Sequence, residues 1–171
     1  VDALHAAGAA GTIIDLRGIA DGTADEAIAA ARPFIKTGVL ATLAGRGTER
    51  SVTSAAAGDG AVTSPVVLMV SNGTANAAEI FAAALQGNHR AELVGEPTTG
   101  LAAVQRLVKL PENHGLWMTY ARYLAADAKP IHERGLRPDL YVESPAVAFG
   151  DTPPAVDETL AKAAERLKAK K

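Results

Sequence analysis

The segment that most restricts the fold is residues 65–87, PVVLMVSNGTANAAEIFAAALQG. Pro65–Ser71 (PVVLMVS) is an apolar run without polar alternation and reads as the clearest buried strand of the chain. It turns through Asn72–Ala75 and enters an alanine-rich helix over about Asn76–Gln86, ended by Gly87-Asn88. A buried strand feeding straight into a helix implies an α/β domain with a largely parallel sheet.

Composition agrees with close packing. Alanine supplies 37 of 171 residues and Phe, Tyr and Trp together only seven, so small side chains must build the core. The length suits one domain with a single sizeable core. Zero cysteines exclude a disulfide framework, a thiolate nucleophile and an iron–sulfur cluster. A net charge of −2, with a basic run only at Arg166–Lys171, argues against a nucleic-acid surface. No apolar run approaches the roughly 20 residues that span a bilayer, so no transmembrane segment is expected.

The rest of the chain alternates. Residues 1–11 read as the end of a helix running into a strand at Thr12–Leu16, and RGIADG at 17–22 as a loop. Thr23 or Asp25 is placed to cap a helix over Glu26–Lys36, which Gly38 closes. Strands are expected at Val39–Leu43, Ala91–Gly95, Val104–Leu110 and Leu116–Leu124, the last two joined by a turn at Pro111–Gly115. Residues 45–64 fit either a hairpin arm or a surface loop, and 125–143 read as irregular. After Pro153-Pro154, a final helix places Val156, Leu160, Ala163, Ala164 and Leu167 on one stripe.

Few residues suggest chemistry by spacing. His5, His89, His114 and His132 are scattered without an i,i+3 or i,i+4 pair, so no metal is expected. No phosphate-binding GxxxxGK[ST] occurs, and Gly45–Arg50 (GRGTER) does not open a helix after a strand, so no nucleotide cofactor is expected either. The junction 70–79 (VSNGTANAAE) is different. A sharp turn from buried strand to helix presents a side chain at the positive end of the helix, where nucleophiles and oxyanion holes are built. An ordinary turn capped by Thr74 or Asn76 explains the same spacing.

Taken in series, the motifs GTIIDLRG…G (11–18 and 22), Val67–Leu85, Gly95–Gly100 with Gln105, Ala121-Arg122-Tyr123 and GLRPD (135–139) resemble the carboxy-terminal processing peptidases, or tail-specific proteases. The resemblance implies a ClpP/crotonase-like spiral core with a mostly parallel sheet, a β-hairpin and a C-terminal amphipathic helix. It implies serine peptidase chemistry with a Ser–Lys dyad, in which a lysine kept neutral by burial takes the serine proton. The serine follows the G-[ST]-A turn. Here Gly73-Thr74-Ala75 is followed by Asn76. The lysine follows T-x-G, and here Thr98-Thr99-Gly100 is followed by Leu101. Gln105 and Glu79 match the family's assisting glutamine and the glutamate of its serine helix. Gly18, Asp21, Gly22 and Ala77 fall on the oxyanion loop and helix start, with Asp21 standing where the family has the first of two glycines.

The expectation is a degenerate peptidase core without hydrolysis, kept for peptide binding or scaffolding. Its partner would be a peptide or protein C-terminus, and an oligomer is possible. Two alternatives remain open: an active peptidase using Thr74 or Thr99, and a binder of small apolar ligands in a cleft made greasy by Leu101. The resemblance further implies an exported or cell-envelope protein. It divides the chain into a core at 1–150, lacking the family's first strand and peptide-gripping PDZ module, and a helical extension at 151–171 that packs on the core or a partner.

Overall fold

The computed structural model describes residues 1–145, 152 and 154–170. Pro153 and the expected boundary at 150/151 lie outside the described residues. The elements in order are α1 (Asp2–Ala6), β1 (Thr12–Asp15), α2 (Ala24–Ala31), a 3-10 turn (Arg32–Phe34), β2 (Val39–Gly45), β3 (Thr48–Ser54), β4 (Val66–Val70), α3 (Ala77–Gly87), β5 (Ala91–Gly95), β6 (Ala103–Lys109), β7 (Gly115–Leu124), β8 (Leu140–Tyr141) and α4 (Glu158–Lys168).

Two four-stranded sheets organise the chain. One is parallel, in the order β1-β4-β5-β8, and the other antiparallel, in the order β3-β2-β7-β6. This is the α/β, ClpP/crotonase-like architecture that the motifs imply, and the hairpin of the sequence reading is half of a full second sheet. In β4 no residue is more than 3% exposed. Its side chains part by the two-residue period of a strand: Val66, Leu68 and Val70 join the main core, while Val67 and Met69 join a smaller cluster on the other face. That is why the strand shows no polar alternation.

The alanines are explained by α3. All nine residues Ala77–Leu85 are buried, because the helix packs between β5 of the parallel sheet and β2 of the antiparallel one. A helix enclosed on all sides cannot be amphipathic, and small side chains let both sheets approach it. Phe81 fills the wider end, meeting Phe34 edge-on with 6.0 Å between ring centroids.

Several expectations shift in detail. Thr23 is the cap of α2, in a full capping box with Glu26, and Asp25 lies in the first turn. That helix ends at Ala31 rather than Lys36, because Pro33 tightens the chain into a 3-10 turn. Residues 48–54 of the undecided 45–64 stretch are the arm β3, and Gly45 and Gly47 serve its turn with β2. The irregular stretch 125–143 includes the two-residue strand β8. The final helix buries a rotated stripe. Thr159, Ala163 and Leu167 face Val67, Met69 and Val94, whereas Leu160 is 44% and Val156 65% exposed. The sheet selects the face with small residues, and ion pairs from Arg166 and Lys170 to Glu92 fix it.

The two-sided burial of β4 and the orientation of α4 have direct consequences. Leu68→Ala should cost about 2–5 kcal/mol, the usual range for a fully buried leucine, whereas exposed Leu160→Ala should change stability by less than about 0.5 kcal/mol. Urea unfolding of the two variants checks both.

Candidate functional site

Three loops converge on the start of α3. The first is the turn out of β4. Thr74 N–H donates to Ser71 O at 2.9 Å, Ser71 N–H to Thr74 Oγ1 at 3.0 Å, and the Thr74 hydroxyl to Leu16 O at 2.9 Å. Chain direction then reverses at Asn76, whose φ of 49° and ψ of −116° are neither helical nor extended. Such backbone costs about 1–3 kcal/mol and persists only where its surroundings enforce it. Here Ala75 N–H is held by Ile19 O and the Asn76 carboxamide Nδ2 donates to Ala20 O, both at 2.9 Å. Asn76 stands at the N-cap of α3 without capping it; its side chain is turned to the 17–22 loop.

That loop is the second wall. A Cβ on Gly73 would lie 3.1 Å from Gly18 Cα, and one on Gly22 would lie 3.1 Å from Ala77 Cβ. Glycine at these positions lets backbone meet backbone beside Ala77 at the start of α3, while the next two N–H groups, of Ala78 and Glu79, donate to Ala75 O and Asn76 O, both at 3.1 Å. Gly18 and Gly22 also take φ values of 71° and 106°. Asp21 is exposed on this loop, next to Gly22.

The loop is anchored by Arg17, which grips two carboxylates at once: Asp15 Oδ2 at 2.7 Å and Asp157 Oδ2 at 2.8 Å. Asp157 is also the N-cap of α4 and accepts from Leu160 N–H at 2.9 Å. The hydrogen bonds from Arg17, with that from Leu160, hold the Asp157 carboxyl below its ordinary range, more than offsetting its partial burial. Burial pushes the Asp15 carboxyl up, but the hydrogen bonds and charge of Arg17 prevail and hold it below as well. The sequence gives no local sign of this latch, since its ends lie 140 residues apart.

The third wall is residues 98–101, and it hangs on Glu79. This carboxylate is 0% exposed. Its Oε1 accepts from Gly100 N–H at 2.7 Å and from the Thr98 hydroxyl in a short bond, and its Oε2 accepts from Leu101 N–H at 2.7 Å. Thr99 N–H adds a bond to Thr74 O at 3.0 Å, and its hydroxyl one to Asn72 O at 2.6 Å. The backbone at Leu101 is thus tied to the first turn of α3, but the Leu101 side chain is 47% exposed and encloses no apolar pocket. Gln105 lies exposed on β6, just past a bulge at Val104/Gln105, with Nε2 donating to Thr119 Oγ1 at 3.3 Å. The structure therefore brings Asn76, Ala77, Gly22 and the Glu79–Leu101 pair to one place and sets Gln105 at its edge.

The frame gathers backbone donors and the Thr99 hydroxyl around positions 76 and 101. A carboxamide at 76 and an alkyl chain at 101 provide neither nucleophile nor proton acceptor. Thr74 cannot replace them, being 0% exposed with its hydroxyl donated to Leu16. Among the described residues no group of three or more His, Asp or Glu is placed to hold a metal ion. No helix among them is long and apolar enough to cross a membrane.

A parallel sheet whose central strand breaks into a helix through a strained elbow, flanked by a glycine loop and a T-x-G loop, is the core of a serine-type peptidase of ClpP/crotonase-like architecture. The model of peptidase family S41 matches residues 1–142, and the chain belongs to that family. It is 40% identical over 154 residues to a carboxyl-terminal-processing protease of Synechocystis sp. (strain ATCC 27184 / PCC 6803 / Kazusa), covering 89% of this chain and 36% of the relative. It is 36% identical over 149 residues to carboxy-terminal processing protease CtpA of Bacillus subtilis (strain 168), covering 86% and 32%. Among solved structures, the photosystem II D1 C-terminal processing protease superposes with a TM-score of 0.73 at 30% identity, over 82% of this chain and 36% of that one. The chain spans about a third of the length of these relatives.

Two outcomes follow from the site. Glu79→Gln would aim an NH2 group at donors that need an acceptor, so it should cost at least about 2 kcal/mol and speed amide exchange at Gly100 and Leu101. The measurement is urea unfolding with hydrogen exchange. The Arg17 latch should be pH-dependent. Both aspartates are lowered from 3.8 in the folded chain, so their stabilisation is fully present above that value and is lost as pH falls through the lowered folded values. Asp157→Asn should therefore destabilise the chain at neutral pH, and the gap to the unmodified chain should close on titration below pH 3.8.

Proposed function

We propose that this chain is a hydrolysis-deficient core of a C-terminal processing peptidase, which keeps the family's frame to hold peptide or a protein C-terminus. One observation carries the reading. The strained elbow survives intact, and the residue on it is an asparagine whose carboxamide is spent on Ala20 O. Leu101, opposite, keeps its backbone on Glu79 and offers an exposed alkyl chain. The frame retains what positions a substrate and lacks what cuts it: backbone donors at Ala77 and the glycine loop, Gln105 at the margin, and Asp21 adding negative charge beside the place where an oxyanion would form. We assign residues 1–150 to this core and 151–171 to a helical extension that fastens it, and an exported location follows the resemblance.

The reading is tested by turnover of an unfolded protein substrate and by fluorophosphonate labelling. The unmodified chain should give neither. Asn76→Ser with Leu101→Lys, the serine and lysine of the family pattern, should gain measurable labelling, since the elbow and the Glu79 tether need not change. Cleavage by the unmodified chain would overturn the reading.

A further inference from the structure

At the C-terminal end of α3, the opposite end from Asn76, lies an open trough of about 1020 Å³, which the proposed function does not use. Its floor is small and apolar, made by Ala83, Ala125, Ile131 and Leu136. Its rim carries Arg134 and Arg137. Other polar side chains on the rim are partnered: Lys129 Nζ pairs with Asp127 Oδ2 at 2.7 Å, and the Gln86 carboxamide Nε2 donates to Arg137 O at 3.0 Å and Asp139 Oδ2 at 3.1 Å. Asp139, the carboxylate next in sequence to Arg137, is turned inward to Leu93 N–H at 2.8 Å. Among the described residues neither Arg134 nor Arg137 has a carboxylate within ion-pair distance.

Both guanidinium groups border the same trough, and their backbone is held by a set of hydrogen bonds. Glu133 and Gly135 both have φ of 66°, folding 131–136 into a compact turn. Gly135 N–H donates to Ile131 O at 2.8 Å, Glu133 N–H to Gly100 O at 2.9 Å and Leu136 N–H to the Thr98 hydroxyl at 2.8 Å. A Cβ on Gly135 would lie 2.1 Å from Thr98 O, so the turn is pressed flat on the loop that Glu79 holds. Backbone ordering is therefore already complete before any ligand arrives, which lowers the cost of binding.

We infer that this trough is a second binding site, for an acidic peptide segment whose carboxylates pair with Arg134 and Arg137 while a neighbouring apolar side chain lies on the alanine floor. Guanidinium groups bind carboxylates through paired N–H donors, and the trough is at or above the size of a small-molecule pocket and open along its length, as an extended peptide needs. The inference goes beyond the proposed function. It concerns the other end of α3 and involves neither position 76 nor 101.

The test is fluorescence anisotropy of the full chain with labelled peptides. One alternates Glu and Leu and is amidated at its C-terminus; a second replaces Glu by Gln and keeps a free C-terminus; a third is neutral throughout. Saturable, salt-sensitive binding of the first locates recognition in side-chain carboxylates, and binding of the second locates it in a terminal carboxylate. The third should not bind. Arg134→Ala with Arg137→Ala should weaken binding at least about tenfold. Both arginines are exposed, so the fold should be kept, which circular dichroism verifies. Ala126→Phe, which fills the trough and leaves both charges, should weaken binding as well. The inference is overturned if no acidic peptide binds saturably at physiological ionic strength, or if the double arginine variant binds as well as the unmodified chain. Loss or survival of hydrolysis is read separately, by turnover and labelling.

Discussion

A carboxylate with no exposed surface and no cationic partner is the interaction on which this molecule turns. Taking such a group out of water is expensive unless its lone pairs are met. Glu79 meets that cost with three donors from one short loop, two backbone N–H groups and the Thr98 hydroxyl. Its place in the first turn of α3 adds the favourable end of the helix dipole. Charge-assisted bonds of this kind are about twice as strong as neutral ones and directional. They fix where 98–101 sits relative to the elbow. The Thr98 hydroxyl, donating to Glu79, accepts from Leu136 N–H, so the 131–136 turn inherits the same reference point. Helix, T-x-G loop and arginine turn thus form one rigid body.

This explains how the residues at 76 and 101 can depart from the family pattern while the backbone does not. The elbow at Asn76 is imposed from both sides, by β4 ending in the Ser71–Thr74 turn and by the 17–22 loop accepting from Ala75 and Asn76. Asparagine tolerates positive φ better than most residues, and its carboxamide adds a bond that a smaller side chain could not reach. At 101 the frame holds only the amide nitrogen, so the side chain is free to be leucine. The geometry of this frame is the geometry that satisfies its buried polar groups.

What the sequence disclosed follows the same division. Local signals read well: the buried strand β4, the alanine helix, and the start of α2, for which Thr23 was one of two capping candidates. Each rests on a side chain or φ that must suit its immediate neighbours. Long-range pairings were opaque. TERSVTS at 48–54 is polar because β3 is an edge strand largely exposed on both faces, which looks like a loop. The stripe on α4 was right at Ala163 and Leu167 and wrong at Val156 and Leu160, which are exposed, while Thr159 is buried in their stead. The Arg17–Asp157 latch and the exposure of Leu101 depend on chain segments that no window joins. Motif order placed Asn76, Leu101 and Glu79 together; it could not say that Gln105 would sit exposed beyond a bulge.

The two ends of α3 stand in an asymmetric relation. Toward the elbow, polar groups are committed inward: Asn76 to Ala20, Thr74 to Leu16, Thr99 to Asn72. Toward the trough, Arg134 and Arg137 face outward without partners. Both are carried on the Glu79–Thr98 spine, so occupying one does not require the other to rearrange. Coupling between sites needs an element with two arrangements that each ligand biases, and a spine stitched by buried charge-assisted bonds offers one arrangement. The site at the start of α3 and the trough at its end are best understood as independent surfaces on a shared support.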